Sequence, residues 1–256
     1  MPIAMLRGVP DTFDRAITRD PAARPDVALA RSQHYVYSRR LSEAGFDIEL
    51  LSPDDRFPDS VFIEDAAVMV GAVAVITRPG AVSREGETTA VADRLSRHFR
   101  LAEIEPPGTI DGGDVLMVGR NLYVGLSERT SRNGIDQLTA VARDQGMDVV
   151  TVPVVGALHL KSVVLPVAEE TVVVTEGTVD VGLLDGLEII REDPTERMQF
   201  SALPLGGDRV LVTASAPRTA GSVEKRGLEL VPIDISEFQI ADGGLTCMSI
   251  LFDQAI

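Results

Sequence analysis

The chain has 256 residues, 45% of them apolar and 25% charged, with a formal charge of −15. That balance is an ordinary globular one, long enough for one large domain or two small ones. The acidic excess argues against nucleic acid, whose phosphates would be repelled without a segregated basic patch, and no apolar run is long enough to span a bilayer. Tryptophan is absent and aromatics make up 4%, so the core must be aliphatic, and its valines favour strands. One cysteine rules out an internal disulfide and a four-cysteine zinc site. The first twenty residues lack the apolar core of a secretory signal, so a cytoplasmic address is expected.

In chain order, 26–41 reads as a helix: Val27, Ala30, His34, Tyr37 and Leu41 share one face, with Pro25 before it and Gly45 after it. A polar hook running into an apolar stretch, DSVFIEDAAVMV, begins at Asp59, and a strand is predicted over 72–77. A helical pattern runs from Ser83 through Val91 and Leu95. The hook DGGDVLMVG then begins at Asp111, followed by a helix through Ile135, Leu138 and Val141 to Gly146. A strand over 148–152, the hook HLKSVVLPV from His159 and a strand over 171–175 come next. The hook GGDRVLV from Gly206, a strand over 210–213, a weak helical pattern between Thr219 and Gly227, and the hook DGGLTCMSI from Asp242 complete the series. Five hooks spaced by about 40–50 residues mark a supersecondary repeat. Alternating strands and helices make it α/β, and five modules without capping ends suggest a closed ring. No linker interrupts the chain, so residues 1–256 read as a single domain.

The candidate chemistry lies in these hooks. Cys247 is either a small buried hydrophobe or a nucleophile, and the preceding Gly243-Gly244 would let a ligand approach the backbone closely. A thiolate needs a proton-transfer partner, usually histidine. His34 falls on an apolar helix face and His98 at a helix end, which leaves His159, at the mouth of a strand. Asp59, Glu64, Asp65, Asp111 and Asp114 are carboxylates in otherwise apolar stretches, where unpaired charge is costly. They fit either a metal site or a cation pocket, although calcium-loop spacing is missing. Strand alternation would put Asp59 and Asp65 on one side and Glu64 on the other. Arg84 and Arg129 follow acidic hooks in predicted loops and could together hold a carboxylate.

In their order along the chain, FPDSVFIED, RPGAVSREGE, DGGDVL, GLSERT, LHLKS and DGGLTCMS resemble the dimethylarginine dimethylaminohydrolase (dimethylargininase) family of the guanidino-group-modifying pentein superfamily. The resemblance covers the chain from about Phe57 onward. It implies a five-bladed α/β propeller of pseudo-repeated ββαβ modules. The implied enzyme hydrolyses asymmetric dimethylarginine or monomethylarginine to citrulline and dimethylamine or methylamine, with no metal or redox cofactor. By this resemblance Cys247 is the nucleophile, His159 the general acid and base, and Asp111 its carboxylate neighbour. Asp65 would meet the guanidinium nitrogens and Asp59 the α-amino group, with Arg84 and Arg129 on the carboxylate and Glu64 supporting the set. Backbone carbonyls near Ile17 and Ala241 would complete the pocket. One departure is Phe200-Ser201-Ala202-Leu203, where the family usually carries alanine-alanine-asparagine. The partner expected is a small molecule, a methylated arginine, with a homodimer as the quaternary expectation. The alternatives are an arginine deiminase or a hydrolase of another N-substituted arginine, a thiol peptidase, and a non-catalytic arginine binder. The peptidase reading would leave the acidic cluster and both arginines without a role.

Overall fold

The computed structural model describes residues 1–20 and 22–253. In chain order its elements are β1 (Pro2–Arg7), α1 (Val27–Glu43), β2 (Asp47–Leu51), β3 (Ala67–Val70), β4 (Val73–Ile76), α2 (Thr88–Leu95), β5 (Arg100–Glu103) and β6 (Val115–Val118). They continue with β7 (Asn121–Leu126), α3 (Arg132–Asp144), β8 (Asp148–Pro153), β9 (Val164–Ala168), β10 (Thr171–Val174) and β11 (Glu188–Arg191). The last are β12 (Ala202–Gly206), β13 (Arg209–Thr213), α4 (Pro217–Glu224), β14 (Glu229–Ile233), α5 (Ser236–Ile240) and β15 (Ile250–Asp253).

Among the described residues the strands form five three-stranded sheets. In each, the first strand runs antiparallel to the middle one and the third runs parallel to it, as in β3-β4-β5 and β6-β7-β8. The parallel step needs a crossover, which α1, α2, α3 and α4 supply in four blades. The fifth, β9-β10-β11, crosses by a short 3₁₀ turn, Val181–Leu183. The intervening TEGTVDVGLLDG places Gly177 and Gly186 in left-handed conformations that a helix could not use. The fold is the five-bladed α/β propeller, with this one blade departing from the ββαβ pattern. β15 pairs with β1 from Pro2↔Asp253 to Met5↔Ile250, so the last strand completes the blade that the first one begins.

The middle strands explain why valine-rich runs stood out in the sequence. Each alternates its side chains between two hydrophobic clusters, one on each side of the blade. Val73 and Val75 of β4 enter one cluster and Ala74 and Ile76 another. Ile3 and Met5 of β1 face one neighbour, Ala4 and Leu6 the other. The same division holds for Tyr123 against Leu122 and Val124, for Val173 against Val172 and Val174, and for Leu211 against Val210 and Val212. Strands buried on both faces carry unbroken apolar runs.

Helix α1 is capped by Asp26, whose side chain accepts from the backbone of Ala28 and Leu29, and it ends before Gly45 at φ 99°. It buries Ala30, His34, Tyr37 and Leu41, the face read from the sequence. The pattern from Ser83 is tighter at its start than expected, a 3₁₀ turn Val82–Glu87 leading into α2.

Four hooks become 3₁₀ turns placed just before the first strand of a blade: Ile63–Ala66, Gly112–Asp114, Leu160–Ser162 and Thr246–Met248. The fifth, GGDRVLV, is instead the hairpin joining β12 to β13. Gly206 and Gly207 sit there at φ 90° and 60°, whereas the paired glycines Gly112-Gly113 and Gly243-Gly244 have no positive φ. One sequence pattern thus serves two demands, a left-handed turn in one place and close approach in the other. No helix among the described residues is long and apolar enough to cross a membrane.

Gly134 and Gly221 both lie inside helices, and their surroundings give opposite signs to the same substitution. A Cβ at Gly134 would stand 2.2 Å from the carbonyl oxygen of Thr109, whereas one at Gly221 meets nothing within 4 Å. Gly221→Ala should therefore add about 0.5–1 kcal/mol of stability. Gly134→Ala should lose about 1–3 kcal/mol to overpacking despite alanine's better helix propensity. Urea midpoints at unchanged slope would read both, and a stabilised Gly134→Ala would contradict the close approach.

Candidate active site

Four hooks converge at one end of the ring. A cavity of about 150 Å³ there is lined by Ile17, Asp59, Asp65, Arg84, Arg129, His159, Ala241 and Cys247, with Thr18, Arg19, Phe62, Leu158, Asp242 and Gly243. The structure therefore gathers eight of the eleven singled-out residues around one cavity. Asp111, Asp114 and Glu64 are buried behind it.

His159 precedes the turn Leu160–Ser162, and its Nε2 lies 2.9 Å from Oδ2 of the fully buried Asp111. The other Asp111 oxygen accepts from the Gly80 backbone N–H at 2.7 Å, which fixes the carboxylate. Arg129 Nη1 is 3.8 Å from Asp111 Oδ2. Gly113 is obligatory here, since a Cβ would come 2.6 Å from His159 Nδ1 and 3.0 Å from Asp65 Oδ1. Burial works against a charged imidazole, but Asp65, Asp111 and Asp114 outweigh it and raise His159 to about 9. Asp114 also accepts from the Leu160 N–H at 2.8 Å and from Ser127 Oγ at 2.7 Å, tying the histidine hook to the loop that carries Arg129.

Asp65 is held by Arg84 Nη1 at 2.6 Å and by the Gly113 N–H at 2.8 Å. Burial pushes its carboxyl up, but His159 and Arg84 prevail and bring it down to about 2. Arg84 is 5% exposed and lies in the 3₁₀ turn Val82–Glu87 rather than in a loop. Its Nε and Nη2 bond Glu87, and Nη2 also reaches the carbonyls of Phe62 and Asp59. All three nitrogens of its fork are thus engaged inside the protein, with Nη1 bracing Asp65. The sequence reading missed Glu87, although its spacing of three from Arg84 eclipses the two on a 3₁₀ turn. Asp59 Oδ1 accepts the Ile17 N–H at 3.0 Å, and burial raises its pKa against the pull of Arg84.

Cys247 is half-buried, and its Sγ accepts the Gly244 N–H at 3.3 Å. Burial first, then the carboxylates of Glu64 and Asp65, push the thiol up to about 12. The glycine pair before it serves close packing by the protein itself. A Cβ at Gly243 would strike the Phe62 ring at 2.3 Å, and one at Gly244 would reach Ser201 Oγ at 2.8 Å.

Glu64 does point away from the side of Asp59 and Asp65, but not for the reason expected. The segment is a turn followed by a 3₁₀ turn rather than a strand. The Glu64 carboxylate is occupied by Lys161 Nζ at 2.6 Å and Thr246 Oγ1 at 2.9 Å. These three residues also line a cavity of about 200 Å³ surrounded by the first strands of all five blades. They therefore close the ring's axis between the two ends. Lys161 and Thr246 lay in the quoted hooks without a role, and neither their type nor their spacing signalled one.

Asp65, Asp111 and His159 have ligand atoms within 4.8 Å of one another and could in principle hold a metal ion. The oxygens are already engaged by Arg84, Gly113 and Gly80, and Nε2 faces Asp111. The donor set therefore suits an ion-paired imidazolium better than a metal.

The family model described as N,N dimethylarginine dimethylhydrolase, eukaryotic, matches residues 9–182. A dimethylarginine dimethylaminohydrolase of Pseudomonas aeruginosa is 36% identical over 238 residues, covering 92% of this chain and 93% of its own. One of Streptomyces coelicolor is 39% identical over 245 residues, covering 95% and 94%. The solved structure of the Pseudomonas aeruginosa protein, as a cysteine-to-serine mutant complexed with citrulline, has a TM-score of 0.92 at 33% identity and covers 97% of this chain and 98% of that one. The N-terminal domain of a cyanobacterial arginine dihydrolase superposes with a TM-score of 0.87 at 18% identity, covering 99% and 98%, which bears on the fold alone.

The histidines give a direct test of this electrostatic arrangement. His159 should titrate near pH 9 and the desolvated His34 near pH 4, followed by NMR of the imidazole protons. Asp65→Asn should lower the His159 midpoint. Because the folded value lies above the unfolded one, near 6.5, the stabilisation is fully present below about pH 6.5 and is lost as the pH rises through about 9. A His159 midpoint unmoved by Asp65→Asn would refute the assigned cause.

Proposed function

The chain belongs to the dimethylarginine dimethylaminohydrolase family, and we propose that it hydrolyses asymmetric dimethylarginine and monomethylarginine to citrulline, releasing dimethylamine or methylamine. One observation carries the reading: a single cavity holds a thiol, an acidic imidazolium, carboxylates suited to a cation and guanidinium groups suited to a carboxylate. Asp59 takes the α-amino group and Arg129 the α-carboxylate, assisted by the positive charge of Arg84. Asp65, with lone pairs beyond those used by Arg84 and Gly113, meets the guanidinium nitrogens. The Ile17 and Ala241 carbonyls complete the wall, and Glu64 supports it from behind.

The thiol is the feature that needs the substrate. In the empty site its anion would face Asp65 and Glu64, which is why the thiol titrates high. A bound guanidinium offsets those charges, so the thiol loses its proton to solvent once the cation is seated. The thiolate of Cys247 then attacks the guanidinium carbon. His159, already protonated at neutral pH, gives its proton to the departing amine as the carbon–nitrogen bond breaks. This leaves an S-alkylthiouronium on Cys247 and a neutral imidazole. His159 next takes a proton from water as the hydroxyl adds to the same carbon, and the carbon–sulfur bond breaks as the hydroxyl proton passes to the sulfur, giving citrulline and the thiol again. Asp111 keeps the ring oriented and compensates its charge throughout. The reading uses neither metal nor redox cofactor, treats residues 1–256 as one catalytic domain, and carries with it a cytoplasmic location and a homodimer.

Incubation with asymmetric dimethylarginine and, separately, arginine, with citrulline as the readout, tests it. Citrulline should form from dimethylarginine, and Cys247→Ser should lower the rate by roughly 10³-fold or more. Citrulline mainly from arginine would identify a deiminase acting through the same residues. None from either would overturn the proposed reaction.

A further inference from the structure

Two cavities meet at Cys247, and their chemistry differs. The charged one, with Asp59, Asp65, Arg129 and His159, is suited to the amino-acid end and the guanidinium. The other, of about 120 Å³, is walled by Leu165, Met198, Phe200, Ser162, Ser201 and Gln239. Two charged groups along it are already engaged: the half-buried Asp242 accepts the Arg19 backbone N–H at 2.7 Å, and Lys161 is paired with Glu64. With Leu165, Met198 and Phe200 beside Ser162, Ser201 and Gln239, it can receive a neutral group that is partly apolar.

The backbone there points the same way. Met198 at φ 59° and Asp242 at φ 56° are the two non-glycine residues with positive φ among the described residues, and both line this cavity. Side chains bearing a Cβ occupy that conformation at a cost, and such strain persists where the surrounding structure and its use demand it. A water's share of volume is roughly 30 Å³, so the cavity has room for several waters, more than two methyl groups need.

We propose that this cavity receives the substituent on the ω-nitrogen, so that the chain also hydrolyses Nω-alkylarginines with groups longer than methyl, releasing the corresponding primary amine. The inference rests on the proposed hydrolysis and extends it to a substrate class. With the amino-acid end held by Asp59 and Arg129, and the guanidinium carbon over Sγ, the ω-substituent projects past Cys247 between Met198 and Leu165. The bond broken is the one to the substituted nitrogen; propylarginine and water give citrulline and propylamine, the latter taking the proton from His159.

The test compares Nω-monomethyl-, Nω,Nω-dimethyl- and Nω-propyl-L-arginine as substrates of the full chain, with citrulline as the readout. Wild type should turn over the propyl compound within about tenfold of the monomethyl compound in kcat/KM. Met198→Trp keeps a Cβ in the same backbone conformation but fills the cavity, and should cut propyl turnover at least tenfold more than monomethyl turnover. Met198→Gly, compatible with the left-handed backbone and opening the wall, should shift the ratio toward propyl. Hydrolysis of the methylated substrates without the propyl one, or variants that change all substrates by the same factor, would overturn the inference while leaving the hydrolysis intact. No citrulline from either methylated arginine would overturn both.

Discussion

The middle strand of every blade divides its side chains between two neighbours, and this division obliges the chain to close into a ring. Each apolar cluster lies between adjacent blades. An open array would leave half of β1 and half of β13 in water, at roughly 25 cal/mol for each Å² of apolar surface exposed. The pairing of β15 with β1 removes that cost by joining the two ends of the sequence in one sheet. It also sets four of the five hooks at a common end of the axis. Residues as far apart as Asp65 and Cys247 then share one cavity without any long loop to carry them.

Within that frame the site is arranged around an imbalance of charge. Asp59, Asp65, Asp111 and Asp114 crowd one region, and the internal cations answering them are chiefly Arg84 and His159. Removing one member of such a buried pair strands the other, which is more costly than the pair is stabilising. The glycines of the DGGD hook allow this density. A Cβ at Gly112 would stand 2.0 Å from the Glu64 carbonyl oxygen. Close backbone approach therefore stands behind the electrostatics, and a high thiol pKa with a protonated imidazole is the resting state that follows.

What could be read from the sequence followed physical locality. Helix α1 was legible because its face repeats at 3.6 residues and its ends carry Asp26 and Gly45. The middle strands were legible because burial on both faces makes them continuous apolar runs, whereas β2, β5 and β11 are short and half-exposed and gave little signal. Cys247 and His159 could be singled out because the chain has one cysteine and three histidines. Their assignment as an acting pair came from the resemblance. The engagement of Arg84 by Glu87, and of Glu64 by Lys161 and Thr246, was invisible in advance. The latter contacts span up to 182 residues along the chain, and no local pattern encodes them. The misread hook at Gly206 shows the converse failure, in which a local pattern was clear but its tertiary use was not.

The closure of the ring also orders events during synthesis. Cys247 lies three residues before β15, and β15 follows every other strand. A ribosome delivers Asp65, Asp111 and His159 long before it delivers the sulfur. A chain cut short after Ala241 would carry Asp59, Asp65, Arg84, Arg129 and His159 but neither the pocket's thiol nor the strand that shuts the circle. The pocket's thiol and the structural latch thus arrive together, so the cavity gains its last wall only as the ring closes.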